Sequence, residues 1–213
     1  MPERDLPAQL QRGLQALGED PAAHPCDAYL AYIDLLSQWN RAYSLTGIKD
    51  KGKMLSHHIL DSLAVLPYIK AASCLDIGSG AGLPGLILAL ARPDQHWLLL
   101  DSNKKKVRFL NQAVMELKLG NVEVACIRAE HYQPDQKFST VISRALTSLM
   151  NFRKLASPLV QKQGLILAMK GMQQEDELKE LEVAGISFTL HEITVPEMTA
   201  QRHIVVINGQ STD

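Results

Sequence analysis

The stretch that most restricts how this chain can fold is Asp76-Ile77-Gly78-Ser79-Gly80-Ala81-Gly82-Leu83-Pro84-Gly85, which overlaps the end of the apolar run from Cys74 to Ile77. Glycine at every second position disfavours both helix and strand and lets the backbone take positive φ and approach a ligand closely. Pro84 has a preset φ that suits the first turn of a helix. The segment therefore reads as strand, tight turn, helix. That unit belongs to open parallel α/β sheets, whose ligand crevice lies at the carboxyl ends of the strands.

The chain beyond the turn agrees with this reading. Apolar runs from Trp97 to Leu100, Val122 to Ile127, Thr140 to Ile142 and Leu165 to Met169 alternate with stretches long enough for crossover helices, which predicts a doubly wound α/β fold with a mostly parallel sheet. The last two runs, Ile186 to Val195 and His203 to Ile207, have only Pro196 to Arg202 between them. That is too short for a parallel crossover, so they are expected to pair antiparallel at the end of the sheet. Before the turn, Tyr29, Tyr32, Ile33, Leu36, Trp39 and Tyr43 recur at helical spacing, as do Leu55, Ile59, Leu63 and Leu66. The expected organisation is an N-terminal helical cap over residues 1–70 and a sheet domain over 71–213, one ordinary domain with an appendage.

The glycines alone do not choose the ligand. Gly80-x-Gly82-x-x-Gly85 also satisfies a dinucleotide fingerprint, with Asp101 about 20 residues further on, where a ribose-binding acid would sit. Asp76 discriminates, because a carboxylate at the strand end would repel a pyrophosphate and attract the sulfonium and ammonium of S-adenosylmethionine. Asp101 closes its run, where it can accept both ribose hydroxyls in a bidentate manner, and Ala129 and Glu130 follow the third run at the level of an adenine ring. With Gly78 and Gly80 in the turn, these residues form the expected cofactor site. A nicotinamide-dependent oxidoreductase is the rival enzyme class.

Composition narrows the partners. Apolar residues are 46%, charged residues 21%, and the net charge is −1, so the chain is globular and has no bulk attraction for a polyanion. A polyanion must be met by a local patch. Three cysteines without a Cys-x-x-Cys pair fit neither a disulfide scaffold nor a zinc site, and no third ligand lies near His57 and His58, so no metal is expected. The charged residues among the first 21 and the lack of any long apolar run argue against a signal peptide or a membrane span, and a cytoplasmic protein is expected.

The patch has candidates. Arg128, Arg144 and Lys170 follow the third, fourth and fifth runs, and Arg202 joins them because the final strand runs the other way. Together they can hold an RNA backbone at the crevice mouth. Lys104, Lys105, Lys106 and Arg108 crowd a helix start where ammonium groups oppose the dipole, which suits phosphate binding as well as an exposed basic face. The acids between Gln173 and Glu192 are expected to face away from RNA.

Trp39 to Thr46, His58 to Leu63, Asp76 to Gly85, Leu100 to Ser102, Val107 to Leu110, Ile142 to Ala145, Lys170-Gly171 and Arg202-His203 together resemble the class I S-adenosylmethionine-dependent methyltransferases, and more closely the ribosomal RNA small subunit methyltransferase G family, also called glucose-inhibited division protein B. The resemblance runs nearly end to end. It implies a Rossmann-like sheet that methylates guanine N(7) in 16S ribosomal RNA, free or within the small subunit or an assembly intermediate, with the cofactor contacted at Gly78, Leu83, Ala129, Glu130 and Arg144. Ala129 is smaller than the residue this family commonly has there. A monomer is expected, with Arg144 as the catalytic residue between cofactor and guanine. Guanine N(7) already carries a nucleophilic lone pair, so alignment is needed and a general base is not. The absence of an Asn-Pro-Pro-Tyr type motif after the fourth run fits this. A ribosome-associated binding module that keeps the turn only as scaffold is the non-enzymatic alternative.

Overall fold

The computed structural model describes residues 5–69, 72–144, 147–171 and 175–209. Among them seven strands form one sheet: β1 Ser73–Ile77, β2 His96–Leu100, β3 Val122–Ala125, β4 Phe138–Arg144, β5 Val160–Lys170, β6 Phe188–Ile193 and β7 Arg202–Asn208, in the order β3-β2-β1-β4-β5-β7-β6. The pairs from β3 through β5 are parallel, and β7 is antiparallel to both β5 and β6. The expected antiparallel end is present. The final strand inserts between β5 and β6, leaving β6 as the edge.

The central strands β1, β2 and β4 and the second half of β5 are buried on both faces, as a sheet covered by helices on each side requires, while the edge strand β6 is largely exposed. Trp97 and Leu99 enter one buried cluster while Leu98 and Leu100 enter the other, so the two-residue period sorts neighbours to opposite layers. On the first face lie α1 Leu6–Ala16, α2 Cys26–Tyr43, the helical run α3 Lys51–Met54 to α4 Asp61–Leu63, α5 Gly85–Ala91 and α6 Lys104–Glu116. On the second lie α7 Leu149–Ala156 and α8 Glu175–Val183. Leu36, Met54, Ile59, Trp97, Leu99 and Ile204 belong to a single core, so the N-terminal helices form one layer of the sandwich. The boundary expected at residues 70 and 71 lies outside the described residues, as does Ala145.

Two local features were not anticipated. Helix α1 begins at Asp5, whose carboxylate accepts the Ala8 N–H, and buries Leu10, Gly13 and Leu14. Gly13 is needed there, because a Cβ would sit 2.4 Å from Leu60 Cδ1. Between α3 and α4, residues Leu55–Leu60 form a π-helical turn, a widening frequent at functional sites. The apolar repeat of Leu55, Ile59 and Leu63 predicts a helix but carries no signal for the extra residue in its turn.

Candidate functional site

The glycine turn leaves β1 between β2 and β4 at the carboxyl edge of the sheet. Gly78, Gly80 and Gly82 have φ of 73°, 60° and 86°, conformations that side chains rarely adopt. The Gly78 and Ser79 N–H groups both donate to Leu100 O, at 2.7 and 3.1 Å, which ties the turn to the end of β2. Asp101 continues the attachment: Oδ2 accepts the Gly80 N–H at 2.9 Å and Oδ1 accepts the Asn103 N–H at 2.8 Å. From the helical layer, Tyr32 donates its hydroxyl to Ala81 O at 2.8 Å. The turn is thus held from β2 and from α2 together.

Beside it opens a cleft of about 1070 Å³. Gly78, Asp101, Arg128, Ala129 and Glu130 line it, so five of the residues singled out in the sequence converge on one concavity. Lys106 also lines it, with Nζ 3.8 Å from Asp101 Oδ2, so one of the three clustered lysines faces the ligand space. The side chain of Asp101 is 7% exposed, and each of its oxygens can accept a second hydrogen bond. That donor-seeking pair matches a ribose diol. Ile77, Leu100, Ile127 and Ala129 supply apolar wall for an aromatic base, and the volume exceeds what a nucleoside needs. The residues present therefore fit a nucleoside cofactor.

Asp76 lies beneath the turn. It is fully buried, its Oδ2 accepts the Gly85 N–H at 2.9 Å, and among the described residues Oδ1 has no hydrogen-bond partner. Burial pushes its pKa up to about 7, against the lowering effect of the Gly85 bond, the Ser79 hydroxyl and Arg144. The expected direct view of a cationic ligand is replaced by support of the turn, since Asp76 does not line the cleft. Gly85 is required at this contact: a Cβ would sit 2.5 Å from Leu99 Cδ2 and 2.7 Å from Asp76 Cβ. Leu83 is likewise buried, its N–H donating to Ser79 O, and Gly80 reaches the site through Asp101.

Arg144, Lys170 and Arg202 gather elsewhere. They line a second cleft of about 370 Å³ between the π-helical turn, the ends of β4 and β5 and the start of β7. The strand register explains their meeting, with Arg144 opposite Met169, Met169 opposite Ile204, and Ile193 opposite Arg202. Sequence reasoning missed the residue that organises them. Asp61, 3% exposed, accepts from Arg144 Nη1 at 3.0 Å and from Arg202 Nε at 2.9 Å, and Arg144 Nη1 also donates to His57 O. Lys170 donates to Thr147 O and pairs with Glu177 at 2.8 Å, so one acid of the stretch expected to face away lies against this edge. His58 on the same cleft is driven down to about 4 by burial and by the Arg144 charge, which keeps its ring neutral.

A family model described as GidB, rRNA small subunit methyltransferase G, matches residues 26–205. Proteins named ribosomal RNA small subunit methyltransferase G are similar over nearly their whole length. The one from Marinobacter nauticus is 43% identical over 201 residues, 94% of each chain, and the one from Alkalilimnicola ehrlichii 46% over 200 residues, 94% of this chain and 90% of the other. Among solved structures, an rRNA methylase from Streptococcus thermophilus superposes with a TM-score of 0.51 at 13% identity over 71% of this chain and 94% of that one. TYW2 from M. jannaschii in complex with AdoMet gives 0.54 at 15% identity, over 72% and 74%. At such low identities the superpositions show the shared Rossmann-like fold alone.

Proposed function

The chain belongs to the rRNA small subunit methyltransferase G family, and on that premise we propose that it transfers a methyl group from S-adenosylmethionine to ring nitrogen N(7) of a guanine in 16S ribosomal RNA. The observation that carries the cofactor assignment is Asp101, a nearly buried carboxylate fixed to the glycine turn and facing the large cleft beside Ala129 and Glu130. When bound, S-adenosylmethionine supplies an electrophilic methyl carbon, which the guanine N(7) lone pair takes as the carbon–sulfur bond breaks, with no proton moved. Asp101 holds the ribose hydroxyls, Gly78 brings backbone against the ligand while Gly80 fixes Asp101, and Ala129 and Glu130 hold the base. Asp76 and Leu83 support the turn from below. Arg144 acts on the guanine side of the reaction, with Lys170 and Arg202 beside it, while Arg128 meets RNA at the mouth of the large cleft. Orientation and exclusion of water are what the chain contributes to the rate.

Among the described residues no helix is long and apolar enough to cross a membrane. The proposed enzyme is cytoplasmic and acts as a monomer on the small subunit or on an assembly intermediate. The deciding experiment incubates the purified chain with labelled S-adenosylmethionine and 16S RNA or small subunits from cells lacking it. Mass spectrometry of the digested RNA should find 7-methylguanosine at a single site. Cofactor binding without transfer to either substrate would refute the assignment and favour a binding module.

A further inference from the structure

We propose that the smaller cleft receives the guanine base of the RNA substrate, and that Asp61, by clamping Arg144 and Arg202, is the residue that sets the geometry of that pocket; this rests on the methyltransferase reading above. A carboxylate buried between two guanidinium groups is a poor source of stability, because its desolvation offsets most of the attraction. Its use is geometric. The clamp joins the helical layer to β4 and β7, with His57 O and Asp61 both presented by the π-helical turn and its end. Removing Asp61 takes away the one group that both guanidiniums share, leaving Arg144 held by His57 O and Arg202 by Gln201 O.

The clefts adjoin. Thr147 lines the large one, and its carbonyl accepts from Lys170, which lines the small one. On this proposal the base in the small cleft meets the cofactor space through the Lys170–Thr147 link and Arg144. To enter, the nucleotide must leave its stack, as bases modified on ring atoms do. The walls suit a flat polar ring: Ile48, Met169 and Ile193 are apolar, and the His58 imidazole is neutral. Guanidinium N–H groups not used by Asp61 can donate to the 6-oxo oxygen, leaving N(7) free. Charge also favours turnover. Lys170 is balanced by Glu177, and Asp61 balances one of its two arginines, so the pocket keeps one positive charge. A neutral guanine is accepted, whereas guanine methylated at N(7) is a cation and is repelled.

The test uses Asp61→Asn, which keeps the shape and removes the charge, and Ile193→Trp, which fills the cleft from its rim. Two quantities are read: the Kd for S-adenosylmethionine by calorimetry, and the Kd for 16S RNA carrying 7-deazaguanosine at the modified position, which binds but cannot react. Asp61→Asn should weaken the RNA probe by roughly tenfold to a hundredfold, with cofactor Kd changed by less than about threefold. Ile193→Trp should do the same, and it decides the matter if Asp61→Asn fails to fold. Unchanged RNA binding in folded variants overturns the proposal, as does parallel weakening of the cofactor in both. The parent chain is the control for the reading beneath: if it fails to methylate guanine N(7), that reading falls on its own.

Discussion

Replacing Asp101 by Asn tests the cofactor site with the least disturbance to its shape. Asp101 is nearly buried and accepts the Gly80 and Asn103 N–H groups on different oxygens, so the amide still fills the space and can still accept from Gly80, while its NH2 group then faces the Asn103 N–H. Both contacts to the ribose diol become neutral: the amide oxygen can accept one hydroxyl, and the NH2 group can only donate to the oxygen of the other. Bonds to charged groups exceed neutral ones by about 1 kcal/mol each, so the pair comes to about 2 kcal/mol, or roughly 30-fold in Kd. Calorimetric titration with S-adenosylmethionine measures this directly. Tyr32→Phe is the paired control, since it loosens the turn from the α2 side without touching the ribose. It removes one hydrogen bond to the buried Ala81 carbonyl, lowering stability by about 1–3 kcal/mol, while the bonds to Leu100 and Asp101 keep the turn closed and cofactor Kd within about threefold. If Asp101→Asn binds the cofactor within about threefold of the parent chain, the carboxylate does not hold the ribose and the reasoning is wrong.

Three further outcomes follow from the geometry. Arg144→Ala should abolish guanine methylation while the protein stays folded, because Arg202 still neutralises Asp61; retained methylation would remove Arg144 from the reaction. Gly85→Ala should destabilise by about 1–3 kcal/mol in urea melts, since the new methyl collides with Leu99 and Asp76 beneath the turn. Asp76 makes stability depend on pH with a definite sign: its pKa rises from 3.8 unfolded to about 7 folded, so the native state holds more protons in between and stability falls as pH rises through that window. Urea midpoints at several pH values should show a shallower fall for Asp76→Asn, and an unchanged slope would contradict the burial argument.

Much of the fold was legible because its signals are local. Strand positions follow from short apolar runs, and the turn from glycines whose positive φ values excuse no other residue. Boundaries moved where pairing decided them: β5 begins at Val160 because Phe138 pairs with it, well before the apolar run at Leu165, and β3 stops at Ala125 where β2 ends. Helix α1 has a regular stripe too, with Leu6, Leu10, Leu14 and Leu17 at helical spacing against the core, broken by buried Gln9 and Gly13.

For the site, the residues alone determined a carboxylate and small residues at strand ends, hence Asp101, Ala129 and Glu130 around one cleft. Nothing local distinguishes Asp76, turned under to Gly85, from Asp101, turned out to the large cleft. Nor does any pattern within a segment reveal that Arg144 and Arg202, 58 positions apart, share Asp61 from a different helical layer. Sequence periodicity sorts side chains between faces of their own element. Which charges meet depends on how separate elements pack, and here on a strand that inserts between β5 and β6.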